Sequence, residues 1–227
     1  LNLKDESVQS VLPISEFKDF VLLVTKKGQI KKMNLSNLSK PRATGVRVIN
    51  LPEDYSDTVV DVKPIKDEEI LLVTTQGQAI RFRDDDVREM GRAAYGVAGI
   101  KLDKNDEVVS MEILSKENDL TILTITEKGF GKRSRVEDYR ITRRAGKGVI
   151  NLKVGEKTGK VITTSSVKDK DSVIITTAKG MIIRTPVKGL RVIGRATQGV
   201  RVVKLQVGDK VTDLIKIQEI EEENGNE

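Results

Sequence analysis

The chain has 227 residues, 37% of them hydrophobic, with 40 Lys and Arg against 34 Asp and Glu. It has no histidine and no cysteine, which removes disulfides, zinc fingers, thiol chemistry and most general bases and metal clusters. No apolar run reaches membrane-spanning length and no signal peptide opens the chain, so a soluble cytoplasmic protein is expected; the missing initiator Met suggests an excised fragment.

The predicted elements repeat. Residues 1–3 read as the end of a strand and residues 6–11 as a further strand, so the chain is expected to begin inside a repeat. Four β-branched or Leu-rich runs follow at residues 21–25, 70–74, 120–124 and 172–176, suited to strands buried on both faces. Each leads to a turn glycine, Gly28, Gly77, Gly129 or Gly180, spaced 49, 52 and 51 residues apart. Glycine there permits the positive φ of a tight hairpin. A basic return strand is predicted after each turn. A polar connection follows, at 84–88 and 136–140 long enough for a single helical turn. Then come a second glycine and a valine, at Gly45, Gly96, Gly148 and Gly199, opening a third strand. A fourth begins near Val59, Val108, Val161 and Val211.

Four strands per unit of about 50 residues predict an all-β array of propeller-like blades. One unit alone buries too little apolar surface to be stable, so residues 1–218 are read as one domain. Its repeats fall at about 8–56, 57–105, 106–158 and 159–208, with a closing strand at 209–218. Residues 219–227 carry five glutamates and no basic residue, and are expected to form a disordered acidic tail. Without those five glutamates the formal charge of +6 becomes +11.

Basic residues recur at fixed places. Lys32, Arg81, Arg133 and Arg184 stand four residues after the turn glycines, and Arg42, Arg92, Arg144 and Arg195 just before the second ones. Folding sets the period but does not demand a cation, which points to a polyanion met repeatedly. The alternative is a solubilising charge or a blade-to-blade ion pair. Aromatics make up 3% and Trp is absent, too few for base-stacking platforms; Phe82, Phe130, Tyr95 and Tyr139 are expected in the core. The Gly-Lys-Gly run at residues 146–148 lacks phosphate-loop spacing, and acidic runs such as 84–86 read as solvated turns.

The stretches 77–83, 87–92, 129–133 and 139–140 resemble the C-terminal domain of the DNA gyrase A subunit, with related repeats in the corresponding topoisomerase IV protein. The likeness covers essentially residues 1–218. It implies a β-pinwheel, a propeller-like disc whose blades exchange strands and whose basic rim wraps duplex DNA. These four repeats resemble the last four of about six blades. The gyrase box Q-R-R-G-G-K-G is absent before Gly28. A partial copy, Thr-Arg-Arg-Ala-Gly-Lys-Gly, occupies residues 142–148.

The resemblance implies sequence-independent binding and bending of DNA within an ATP-dependent type II topoisomerase, in the cytoplasm at the nucleoid. The chain itself is expected to be non-catalytic and cofactor-free, with ATP and Mg bound elsewhere in the holoenzyme. Expected partners are duplex DNA, the remainder of the gyrase A polypeptide and the gyrase B ATPase, with no membrane and a monomeric isolated domain. The DNA-binding set is Lys31, Lys32, Arg42, Arg81, Arg83, Arg92, Lys132, Arg133, Arg143, Arg144, Lys147, Arg184 and Arg195. A propeller-like protein scaffold with incidental charge is the competing class.

Overall fold

A computed structural model describes residues 8–116 and 119–217. The acidic tail lies outside the described residues, as do residues 1–7. Four hairpins form where the apolar runs and turn glycines place them: β1 (Phe20–Thr25) with β2 (Gln29–Asn34), β4 (Glu69–Thr74) with β5 (Gln78–Arg83), β8 (Thr121–Thr126) with β9 (Phe130–Arg135), and β12 (Ser172–Thr177) with β13 (Ile182–Pro186). Each first strand takes a seven-residue antiparallel partner on its other side. These partners are β3 (Val59–Ile65), β7 (Val108–Leu114), β11 (Val161–Val167) and β15 (Val211–Ile217). All four pairings carry a register shift near their start, as between Val24 and Thr25.

The third predicted strand leaves its own repeat, in line with the strand exchange that the resemblance implies. It is two residues long and pairs with the hairpin of the preceding repeat. β6 (Val97–Ala98) joins β2, β10 (Val149–Ile150) joins β5, and β14 (Val200–Arg201) joins β9. The sheets therefore read β3-β1-β2-β6, β7-β4-β5-β10, β11-β8-β9-β14 and β15-β12-β13. This strand exchange between all-β blades is the β-pinwheel pattern. Two predicted strands do not form: Val46 and Arg47 join no ladder, and the described part of 6–11 is irregular. Leu12 and Ile14 instead pack on the cluster of Val21, Leu23, Met33 and Leu35. Single 3-10 turns occupy the connections at Leu35–Leu38, Asp84–Asp86, Val136–Asp138 and Val187–Gly189.

The chain divides into two compact units. One holds the first two sheets, with residues 139–151 of the third repeat; its core unites Leu22, Ile30, Leu72, Ile80, Phe82 and Met111. The other holds the last two sheets around Leu123, Ile125, Val173, Ile175, Val203 and Leu214. Phe82, Phe130 and Tyr139 are buried as expected, and the Tyr139 hydroxyl donates to Asn151 Oδ1 at 2.6 Å.

A recurring acid fixes three of the hairpin turns. Asp57, Asp106 and Asp209 each stand two residues before a long strand and accept, through Oδ1, a turn backbone N–H at 2.9–3.0 Å. Their constant spacing from Val59, Val108 and Val211 is the signal in the sequence that marks them.

Candidate nucleic-acid interface

The thirteen candidate cations separate into an interior set and an exposed set. Lys31 is 0% exposed; its ammonium donates to the carbonyls of Val48, Arg92 and Ala94 at 2.7, 2.8 and 2.9 Å. Burial lowers its pKa. It holds the loop that carries Arg92. Lys32 is buried against Asp84, Nζ to Oδ2 2.5 Å, and lies 4.6 Å from the Phe20 ring centroid. Burial raises the Asp84 carboxyl above its ordinary range despite the pull of Lys32. Arg133, 2% exposed, donates to Thr121 Oγ1, to the carbonyls of Val187 and Leu190, and to Asp169. Arg81 is half-buried between Glu69 and the Tyr139 carbonyl.

A pattern explains the recurring cation. The residue four places after each of the first three turn glycines reaches the connection of the following repeat: Lys32 to Asp84, Arg81 to Tyr139, Arg133 to Val187 and Leu190. The same strand position carries a parallel bridge to that repeat, at Glu89, Ile141 and Val192 respectively. Two arginines before the second glycine close the joint from the other side. Arg144 Nε donates to the Asp86 carbonyl at 2.9 Å and Nη1 to that of Ala98, while Arg195 Nε donates to the Asp138 carbonyl at 3.0 Å. These are contacts between successive repeats, the alternative weighed above. Lys31, Lys32, Lys132 and Arg133 are withdrawn from solvent and are not available to a phosphate in this fold.

The other arginines of that series behave differently. Arg42 and Arg92 are exposed, and neither guanidinium has a protein partner among the described residues. With Arg47 they line one shallow cleft, completed by Gly45, Val46 and Ala93, that contains no carboxylate. Arg47 is an addition to the expected set. Its position after a Gly-Val pair is the only signal for it in the sequence. Arg143 and Lys147 are exposed on the partial-box loop, and Lys147 pairs with Asp103 at 3.0 Å. That loop docks by its backbone, Ala145 N–H to the Gly99 carbonyl at 2.7 Å and Lys101 N–H to that of Gly146 at 2.9 Å. Arg184 is exposed near Ser172. Arg83 lies in a cleft with Asp67, Glu68, Glu69, Asp84 and Asp85, where a phosphate would be repelled. Arg88, Arg140 and Arg191, each four residues before Arg92, Arg144 and Arg195, are exposed and lie outside the expected set.

Lys132 yields a pH prediction. It is 1% exposed, its ammonium contacts Ser134 Oγ, and burial pushes its pKa down to about 7, with Asp138 raising it and Arg195 lowering it. The unfolded chain binds this proton up to pH 10.5, so between about 7 and 10.5 it holds more protons than the folded chain. Stability from this group therefore rises with pH across that window and is flat below it. Lys132→Met should be more stable than the parent by a few kcal/mol at pH 6–7, and the advantage should shrink by pH 10. Urea midpoints measured against pH check this; parallel curves for the two proteins would refute it.

Comparison with known proteins agrees with this architecture. The family model described as DNA gyrase C-terminal domain, beta-propeller, matches four segments, residues 19–66, 68–115, 121–168 and 171–218. The DNA gyrase A subunit of Lawsonia intracellularis is 43% identical over 209 residues, covering 90% of this chain and 25% of the relative. That of Salmonella typhimurium is 37% identical, covering 95% and 24%. The chain thus spans about a quarter of the length of the curated relatives it matches. Among solved structures, a DNA topoisomerase IV C-terminal domain superposes with a TM-score of 0.86 at 27% identity, covering 95% of this chain and 67% of that one. A DNA gyrase A C-terminal domain gives 0.85 at 26%, covering 95% and 72%. No helix among the described residues is long and apolar enough to cross a membrane. Four matched repeats, each coinciding with one hairpin and its long strand, place the chain in a family: it belongs to the DNA gyrase C-terminal domain, beta-propeller family.

Proposed function

We propose that this chain binds and bends duplex DNA, without reading its sequence, as the C-terminal domain of a bacterial type IIA topoisomerase. The observation that carries the reading is the cleft lined by Arg42, Arg47 and Arg92, three exposed arginines with no carboxylate among the lining residues. Guanidinium forks suit phosphate oxygens, and contacts to phosphates position a duplex without specifying it. Arg143 and Lys147, on a loop held rigidly by its backbone, extend the same chemistry. Smooth bending of a 20–30 bp site costs on the order of 1–6 kcal/mol, which several phosphate contacts with counterion release offset. Strand cleavage and ATP turnover, with Mg, belong on this reading to the rest of the gyrase A polypeptide and to the gyrase B ATPase, in the cytoplasm.

The test is duplex binding followed by fluorescence anisotropy across a salt series. Affinity should fall steeply with salt, and the triple substitution Arg42→Ala, Arg47→Ala, Arg92→Ala should flatten the log–log slope by about 2.7, roughly 0.9 for each phosphate no longer neutralised. An unchanged slope in the triple variant, or tighter binding to single strands, would reject the proposal. Ligation of nicked circles in the presence of the chain then reports a handed wrap of the duplex as a shift in linking number.

A further inference from the structure

The hairpin turn of the third repeat is built differently from the others. The place held by Asp57, Asp106 and Asp209, two residues before the long strand, is here Gly159. The Lys128 N–H at this turn donates to the Thr158 carbonyl at 3.3 Å instead. The connection that supplies that carbonyl is long: Leu152 and Val161 stand nine residues apart, Leu102 and Val108 only six, as do Leu205 and Val211. Its extra residues fold into a tight loop closed by a bridge between Gly155 and Gly159. Thr158, 0% exposed, ties the loop together: its N–H donates to the Gly155 carbonyl at 3.1 Å, and its Oγ1 accepts the Gly155 N–H at 3.0 Å. The turn thus loses a carboxylate and gains a rigid loop that presents Lys157.

Lys157 and Arg201 meet over one ring. Arg201 stands opposite Phe130 in the ladder of β14 with β9. Its guanidinium carbon lies 5.2 Å from the Phe130 ring centroid, and Lys157 Nζ lies 5.4 Å from the same centroid. Both side chains are exposed, and neither charged end has an ion pair or hydrogen bond among the described residues. Glu127, on the same hairpin, is engaged by the Lys160 N–H at 3.1 Å and by Lys210 at 3.7 Å. The face of the ring attracts each cation and restrains it, while the cations repel one another. The joint itself does not require them: opposite Gln29 and Gln78 the place of Arg201 is held by Ala98 and Ile150. Arg47, in the cleft described above, occupies the same place after its own Gly-Val pair.

We infer that Lys157 and Arg201, held on the Phe130 ring, form a further phosphate site for the duplex on the third repeat. The inference rests on the duplex-binding reading and adds to it residues outside the recurring cation series. An anion between the two cations relieves their repulsion. Because the ring already restrains both side chains, less conformational entropy is lost when a phosphate binds. The guanidinium supplies a planar fork and the ammonium a point charge, which together hold a phosphate without contact to a base.

The test replaces both charges while keeping the side-chain stems that cover Phe130. Lys157→Gln with Arg201→Gln should flatten the log–log salt slope of duplex binding by about 1.8, roughly 0.9 for each cation withdrawn. Lys170→Gln with Lys188→Gln removes the same net charge from the end of the fourth hairpin remote from its turn, and should leave the slope as it is. Lys157→Arg with Arg201→Lys keeps both charges and should also hold the slope. Circular dichroism and urea midpoints confirm that each variant is folded. An unchanged slope in the first variant overturns the inference, as does an equal loss in the second or a loss in the third. If the Arg42, Arg47 and Arg92 triple variant loses slope while the Lys157, Arg201 variant does not, the duplex-binding reading stands and only this site falls. A parent chain without salt-dependent duplex binding overturns both.

Discussion

Gly148→Ala should cost about 3–4 kcal/mol of stability, while the same change at Gly45 should cost about 1 kcal/mol or less. Both glycines stand in the same motif, both precede valine, and both adopt a left-handed φ, +77° at Gly148 and +79° at Gly45. The left-handed penalty for an added Cβ, about 1 kcal/mol, is common to the two and is partly offset by the reduced entropy of the unfolded chain. The difference is steric. At Gly148 the new Cβ would sit 2.2 Å from the Ala79 carbonyl oxygen and 2.7 Å from its carbon, both backbone atoms that no rotamer change can move. Relief requires lifting β10 away from β5, which gives up the ladder at Val149–Ala79 and Ile150–Gln78. It also disturbs the Asn151 N–H bond to the Gly77 carbonyl at 2.8 Å. Gly45 has open space. Urea midpoints of the two variants check the contrast, and equal losses would show that strand exchange contributes nothing to stability.

The hairpins were legible because their signals are local. Apolar runs ended by a polar residue and glycine fix both strands and the turn, and the four long strands begin at the valines the sequence marks. The destination of the Gly-Val strand was not legible from the residues themselves. A strand that pairs with its own hairpin and one that pairs with the preceding hairpin have the same spacing, and only the family resemblance implied exchange. The buried lysines were partly legible. The place held by Lys31 and Lys132 is held by Ile80 and Ile183 in the other two repeats. An apolar residue in half the copies marks an interior position, whatever occupies it in the rest. The arginines were the hardest. A cation clipping a neighbouring carbonyl and a cation awaiting a phosphate recur with the same period, because both follow the fold. Burial and partners decide between them, and these are tertiary facts.

The sharpest consequence is a double dissociation between Arg133 and the pair Arg42 and Arg92. Arg133→Ala removes a guanidinium that is almost fully buried and leaves the Val187 and Leu190 carbonyls and Thr121 Oγ1 without their donor. Leaving buried acceptors of this kind without their donor costs about 1–3 kcal/mol each. Asp169 is largely exposed and rehydrates, so it adds little to the loss. Arg133→Lys retains the charge but lacks the planar fork that reaches several acceptors together, so it should recover only part of the stability. Arg42→Ala and Arg92→Ala remove exposed side chains without protein partners among the described residues and should change stability by no more than about 0.5 kcal/mol. Each should reduce the salt slope of duplex binding by about 0.9, while Arg133→Ala, measured where it is folded, should leave that slope unchanged. Chemical denaturation and salt-dependent anisotropy on the same preparations give both readouts. If Arg133→Ala keeps its stability and loses slope, Arg133 is a phosphate ligand and the partition of the cations into joints and interface fails. If it loses stability and keeps slope, the most deeply buried arginine of the recurring series serves first to lock one repeat to the next, and the exposed loop arginines are left to meet the duplex.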